Sequence, residues 1–110
     1  MDRVAPGSLL KALPVSKVRK LLDAARQYPC AHCNRNDGTT VAAHCNELAL
    51  GRGHSHKTPD YLVAYLCHEC HDYVDGRRGG LMLLEKRAMW NRAYVVTVSW
   101  WFRDGLVAVA

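Results

Sequence analysis

Two cysteine pairs share one spacing: Cys30-Ala31-His32-Cys33 and, further along, Cys67-His68-Glu69-Cys70. At this spacing a single tight turn can aim both sulfurs of a pair at one ion. Two such turns supply four thiolates, a donor set that suits tetrahedral zinc. A closed four-thiolate zinc keeps no open coordination position, so it would staple the chain and not catalyse. Iron also accepts four thiolates, which keeps a redox or electron-transfer metal protein as one reading. Dithiol redox chemistry fits poorly, because it needs one reactive pair and not two that complete each other's coordination.

All six histidines lie between residues 32 and 71. His71 and Asp75 are four apart, hence on one face of a helix, where an imidazole and a carboxylate can grip one divalent ion. A surface ion pair has the same spacing. His44 closes a short β-prone run. His32 and His68 sit inside the cysteine turns and read as surface groups or donors near the sulfurs. Cys45 falls outside both pairs and reads as a buried or half-buried thiol.

The elements that must position these residues follow from local pattern. Residues 1–15 are irregular, with Pro6 and Pro14 as breakers. Ser16 suits the N-cap of a helix over 17–27, whose apolar stripe is Val18, Leu21, Leu22 and Ala25. Pro29 ends it before the first cysteine turn. Asp37-Gly38 marks a turn, and Thr39 to Ala43 reads as a strand ending at His44. Residues 46–60 form a long loop, a length that is often functional. Tyr61 to Leu66 reads as a second strand running into Cys67. A helix over 68–76 starts inside the second cysteine turn and stops at Gly76. Leu84, Ala88, Asn91, Val95, Val98 and Phe102 recur at helical spacing and predict a helix over 81–103, with Gly105 as its stop. The β-branched run Val95 to Val98 competes for strand. Trp90, Trp100 and Trp101 read as packing residues.

The chain has 110 residues and a net charge of +5. It reads as one domain: a basic arm and helix over 1–28, a zinc-stapled core over 29–79, and a C-terminal helix and tail over 80–110. A chain this small buries a modest core, so a metal staple makes energetic sense. Residues 1–36 carry seven basic side chains (Arg3, Lys11, Lys17, Arg19, Lys20, Arg26, Arg35) against two acidic ones (Asp2, Asp23). Such an arm would attract a polyanion. Asp60, Glu69, Asp72 and Asp75 gather instead around the second cysteine pair, which suggests a bound cation. No stretch approaches membrane-spanning length, and nothing near Met1 reads as a secretory signal. Paired cysteines without an export signal favour a reducing, cytoplasmic setting.

The order of parts is cysteine turn, strand ending in His, long loop, strand, cysteine turn, then His on a helix. It resembles the HNH, or ββα-metal, endonucleases. The pieces that carry the likeness are Cys30-x-x-Cys33, Val41-Ala42-Ala43-His44, Asp60 to Leu66, and Cys67-His68-Glu69-Cys70-His71. Small phage and prophage nucleases of this superfamily are most similar, through Lys57-Thr58-Pro59-Asp60, Cys70-His71 to Asp75, and Gly105-Leu106-Val107. The likeness covers about residues 28–107. It implies an α+β fold, a small zinc-stapled ββα core flanked by an N-terminal and a long C-terminal helix. It also implies metal-dependent DNA hydrolysis. His44 would be the general base, suited by an ordinary imidazole pKa of about 6.5. His71 and Asp75 would hold Mg²⁺ or Mn²⁺. Asp60 would orient His44 or reach the ion, with Asn46 as a weaker substitute. His54, His56, Lys57, Arg77 and Arg78 could contact phosphate.

Two departures from the family pattern stand out. Many members carry an Asp or His metal ligand where this chain has Ala43, and the usual Asn is replaced by Leu62. The competing reading is therefore a noncatalytic zinc module that binds DNA or a protein. A homodimer, or a recombination protein as partner, is compatible with a nuclease this small.

Overall fold

The computed structural model describes residues 18–45 and 59–108. Its elements are α1 (Arg19–Asp23), a 3₁₀ turn (Ala24–Gln27), β1 (Val41–His44), β2 (Val63–Leu66), α2 (His68–Asp75) and α3 (Leu83–Arg103). This is a small α+β arrangement of one two-stranded sheet and three helices. Ser16, Asn46, His54, His56 and Lys57 lie outside the described residues, as do residues 1–17 of the basic arm. Among the described residues, no helix is long and apolar enough to cross a membrane.

β1 and β2 pair antiparallel, with Val41 opposite Leu66, Ala42 opposite Tyr65, Ala43 opposite Ala64 and His44 opposite Val63. Opposed residues share a face, and successive residues alternate. Ala43, Ala64 and Leu66 accordingly pack with Cys70 and Val74 of α2 and with Trp90 and Ala93 of α3. Val63 and Tyr65 pack on the other face with Leu21, Ala25 and Trp101. α3 reaches both groups because it runs along the outer edge of β2. Thr97 Oγ1 accepts the Tyr65 amide at 3.0 Å while donating to Ala93 O at 2.8 Å. The Tyr65 carbonyl accepts the Ala31 amide at 2.8 Å. The strand edge is thereby closed to further pairing.

The tryptophans decide which face of α3 turns inward. Trp90 Nε1 donates to Ala43 O at 2.9 Å, and Trp101 Nε1 donates to the Tyr65 hydroxyl at 2.9 Å. That hydroxyl in turn donates to Leu21 O. Trp100 stacks on Tyr28 with ring centroids 5.3 Å apart. The aliphatic series that predicts the helix lies on a different side. Leu84, Val95 and Phe102 are 74%, 68% and 50% exposed, whereas Trp90, Ala93, Thr97 and Trp101 are buried. The larger rings bury more area and their N–H groups find acceptors, so they outweigh the aliphatic stripe.

The other element ends differ from expectation by one or two residues, except at the first helix. Its α-helical part is only five residues before it tightens into the 3₁₀ turn. Gly76 ends α2 at φ 82°, and Gly105 follows α3 at φ 78°; both are left-handed positions that favour glycine.

Tyr65→Phe should cost about 1–3 kcal/mol, because the Trp101 N–H and Leu21 carbonyl lose a buried partner. Urea unfolding of the metal-loaded protein measures this, and an unchanged midpoint would contradict the buried network.

Candidate functional site

The first cysteine turn is built by its backbone. Cys30 N donates to Arg35 O at 2.8 Å and Asn34 N to Cys30 O at 2.9 Å. Asn34 takes φ 66°, a conformation that Asn tolerates better than most residues. The turn aims the amides of His32 and Cys33 at Cys30 Sγ, each at 3.4 Å. The second turn is the start of α2: Cys67 is its N-cap, Cys70 lies in its first turn, and His71 N donates to Cys67 O at 2.9 Å.

These turns bring the four sulfurs within 4.8 Å of one another. Cys33 Sγ and Cys67 Sγ are 3.6 Å apart. Tetrahedral zinc with bonds of about 2.3 Å demands sulfurs about 3.8 Å apart, so the set fits a structural zinc. Burial raises the Cys30 pKa, but donation from the Cys33, Cys67 and His32 amides overcomes it and brings the thiol down to about 7. Burial, and then the nearby Cys30 charge, push Cys70 up, and burial pushes Cys67 up. Four crowded sulfurs resist ionising together, and a cation among them resolves the conflict. His32 Nδ1 lies 3.6 Å from Cys70 Sγ, beside the cluster and outside the sulfur set. Arg35 spans to Glu69 at 3.5 Å, tying the two turns across the surface. Cys45 is buried and stands apart from the four.

α2 carries a second group on its outer side. His71 Nε2 and Asp75 Oδ2 are 3.1 Å apart, with both side chains about one-quarter exposed. Cations with metal–oxygen bonds of about 2.0–2.1 Å at right angles separate adjacent ligands by about 3.0 Å, so this pair fits two neighbouring octahedral positions. The distance also suits a hydrogen bond. One turn away His68 Nε2 faces Asp72 Oδ2 at 3.6 Å. Arg77 reaches both carboxylates, Asp72 at 3.8 Å and Asp75 at 3.7 Å. Arg78 lies over the Tyr73 ring at 5.4 Å. The sequence reading named His71 and Asp75 and missed the partnerships of Asp72 with His68 and Arg77. The four-residue spacing of His68 and Asp72 was the visible signal of the first.

The remaining predicted residues take separate places. His44 ends β1 and shares the sheet face of Val63. The residue facing α2 is Ala43, 1% exposed. Asp60 Oδ2 accepts the Val18 amide at 2.8 Å, so this carboxylate ties the chain entering α1 to the turn before β2. Among the described residues, the four cysteines are the only set of three or more Cys, His, Asp or Glu donors close enough to share one ion. His44, Asp60, His71 and Asp75 therefore do not form one four-donor cage. A cavity of about 470 Å³, lined by residues including Glu69, Tyr73, Glu85 and Arg92, opens on the other side of α2 from His71.

The model of the family described as "Putative nuclease YbcO" matches residues 19–106. No curated protein and no solved structure matches the chain.

Native mass spectrometry should find a single zinc held by the one sulfur cluster. Cys70→Ala should lose both the metal and cooperative unfolding, since structural zinc contributes roughly 10–16 kcal/mol of apparent binding energy. A cooperative fold that survives complete chelation would contradict the staple.

Proposed function

The chain belongs to the family described as "Putative nuclease YbcO", and on that premise we propose that it is a metal-dependent DNA endonuclease of the HNH type. The observation that carries this reading is the His71–Asp75 pair at 3.1 Å, on the helix whose N-cap and first turn supply two of the four sulfurs. The cluster fixes α2, and α2 fixes the pair.

In this reading His44, at the end of β1, takes the proton from a water aligned with the scissile phosphorus. His71 and Asp75 present adjacent donors to Mg²⁺ or Mn²⁺. When bound, that ion supplies charge neutralisation at the phosphate and at the leaving 3′ oxygen. Arg77 steadies the Asp75 carboxylate from 3.7 Å. Asp60 holds the chain entering α1 against the approach to β2, its Oδ2 accepting the Val18 amide. Consecutive strand residues face opposite ways, so a ligand and a base at positions 43 and 44 would flank the strand. Here the ligand position is Ala43, which leaves α2 as the source of protein donors. The substrate backbone then straddles the end of β1.

Ala43 also favours a second reading. A buried methyl facing α2 removes a donor from the sheet, as expected of a zinc module that binds DNA without cutting it. Such a module would bind with steep salt dependence and tolerate loss of His44 and His71.

Plasmid cleavage with Mg²⁺ or Mn²⁺ separates the two. His44→Ala should slow cutting by about 10²–10⁴-fold while zinc content stays intact. His71→Ala should abolish the calorimetric signal of an added Mn²⁺. Wild-type protein that binds DNA but never cuts it, with either ion, supports the module.

A further inference from the structure

α3 is apolar on two sides. Its inner side holds Trp90, Ala93, Thr97 and Trp101. Its outer side holds Leu84, Ala88, Asn91 and Val95, continued by half-buried Val98 and by Phe102. A surface helix ordinarily backs its core face with polar residues. Here the outer residues recur at steps of four, three, four, three and four. This is the heptad spacing of a helix that packs against another helix.

We infer that the outer face of α3 is the interface of a homodimer, in which α3 of a second copy packs antiparallel across a two-fold axis near Met89 and Trp90. That register sets Leu84 against Val95 of the second copy and Ala88 against its Asn91. The small Ala88 lets the helices approach closely, and Asn91 is a lone polar seam residue of the kind that fixes register.

Charge selects a second copy, and selects its direction. In a parallel pair Arg87 of one helix would flank Arg92 of the other, and like charges repel. In the antiparallel pair Glu85 flanks Arg92 of the second copy, and symmetry repeats the contact. Glu85 accepts the Met82 amide at 2.8 Å, which holds its carboxylate at the start of the helix. Glu85, Ala88 and Arg92 also line the 470 Å³ cavity. The seam therefore continues into a concave surface. In this register residues 83–96 of the two helices overlap, a seam about 21 Å long at a rise of 1.5 Å per residue, and Val98 and Phe102 lie beyond it. The proposal is independent of the nuclease reading, since none of its residues belongs to the His71–Asp75 pair.

Sedimentation equilibrium of the zinc-loaded full chain across the micromolar range tests this. Wild type should reach a dimer. Val95→Glu should weaken it about thirtyfold or more, the effect of burying a charge in an interface core. Its far-UV spectrum and zinc content should not change, because position 95 faces away from the core. Ala88→Lys, next to the axis, should act in the same direction. Arg92→Glu should weaken the dimer, and adding Glu85→Lys should recover most of the loss. A full chain that stays monomeric overturns the proposal, whatever else covers the seam. So does a folded Val95→Glu protein that dimerises like wild type.

Discussion

The four sulfurs at the junction of the two cysteine turns are the constraint on which the rest depends. Two strands of four residues each cannot stand alone in water. The sheet persists because both its ends are held. The first turn donates its Ala31 amide to Tyr65 O at 2.8 Å. The second turn is continuous with β2 through Cys67 and with α2 through Cys70. The four sulfurs are placed to hold a metal, which at roughly 10–16 kcal/mol of apparent energy would close that circuit. The orientation of α2 is then fixed through its N-cap Cys67 and its first-turn Cys70, which His71 directly follows. A pair of side chains supported in this way needs no further elements to hold its geometry.

Tyr65 is the second point of convergence. Its amide, carbonyl and hydroxyl reach Thr97, Ala31 and Leu21, and Trp101 donates back to the hydroxyl. One residue thus joins α1, the first cysteine turn, β2 and α3. The tie between Asp60 and Val18 adds a further link from the first helix to the approach of β2. Buried networks of this sort are costly when half satisfied. Here each donor of Tyr65 has an acceptor.

Much of this was legible before any coordinates, and the reasons are local. Cysteine spacing encodes a turn, Asp37-Gly38 encodes another, and Gly76 encodes the stop of α2. What was not legible depends on distant groups. The use of Asp60 at the head of α1 joins residues 42 positions apart. The inner face of α3 was hidden because aliphatic spacing carries no weight for ring size or for the needs of an indole N–H. The partner of Asp60, the Val18 amide, was likewise out of reach of local pattern. Spacing can pair residues on one helix, but it does not say which sheet face a helix covers.

The buried methyl of Ala43 has a thermodynamic consequence for the proposed chemistry. Two protein donors fill only part of an octahedral shell, and the other positions fall to water and substrate oxygen. The cation and the nucleic acid then share ligands, so each raises the other's affinity by the same factor. A chain with a third donor at position 43 would hold the ion before substrate arrives. Under the proposed function, this chain would defer part of that binding to the encounter with phosphate. Its two carboxylates on the outer side of α2 are already partly answered by Arg77, which lowers the pull on a free cation further. In the proposed chemistry, metal occupancy at the His71–Asp75 pair would in this way be coupled to the presence of a polyanion, whereas a metal in the four-sulfur cluster, which shares no ligand with substrate, would not be.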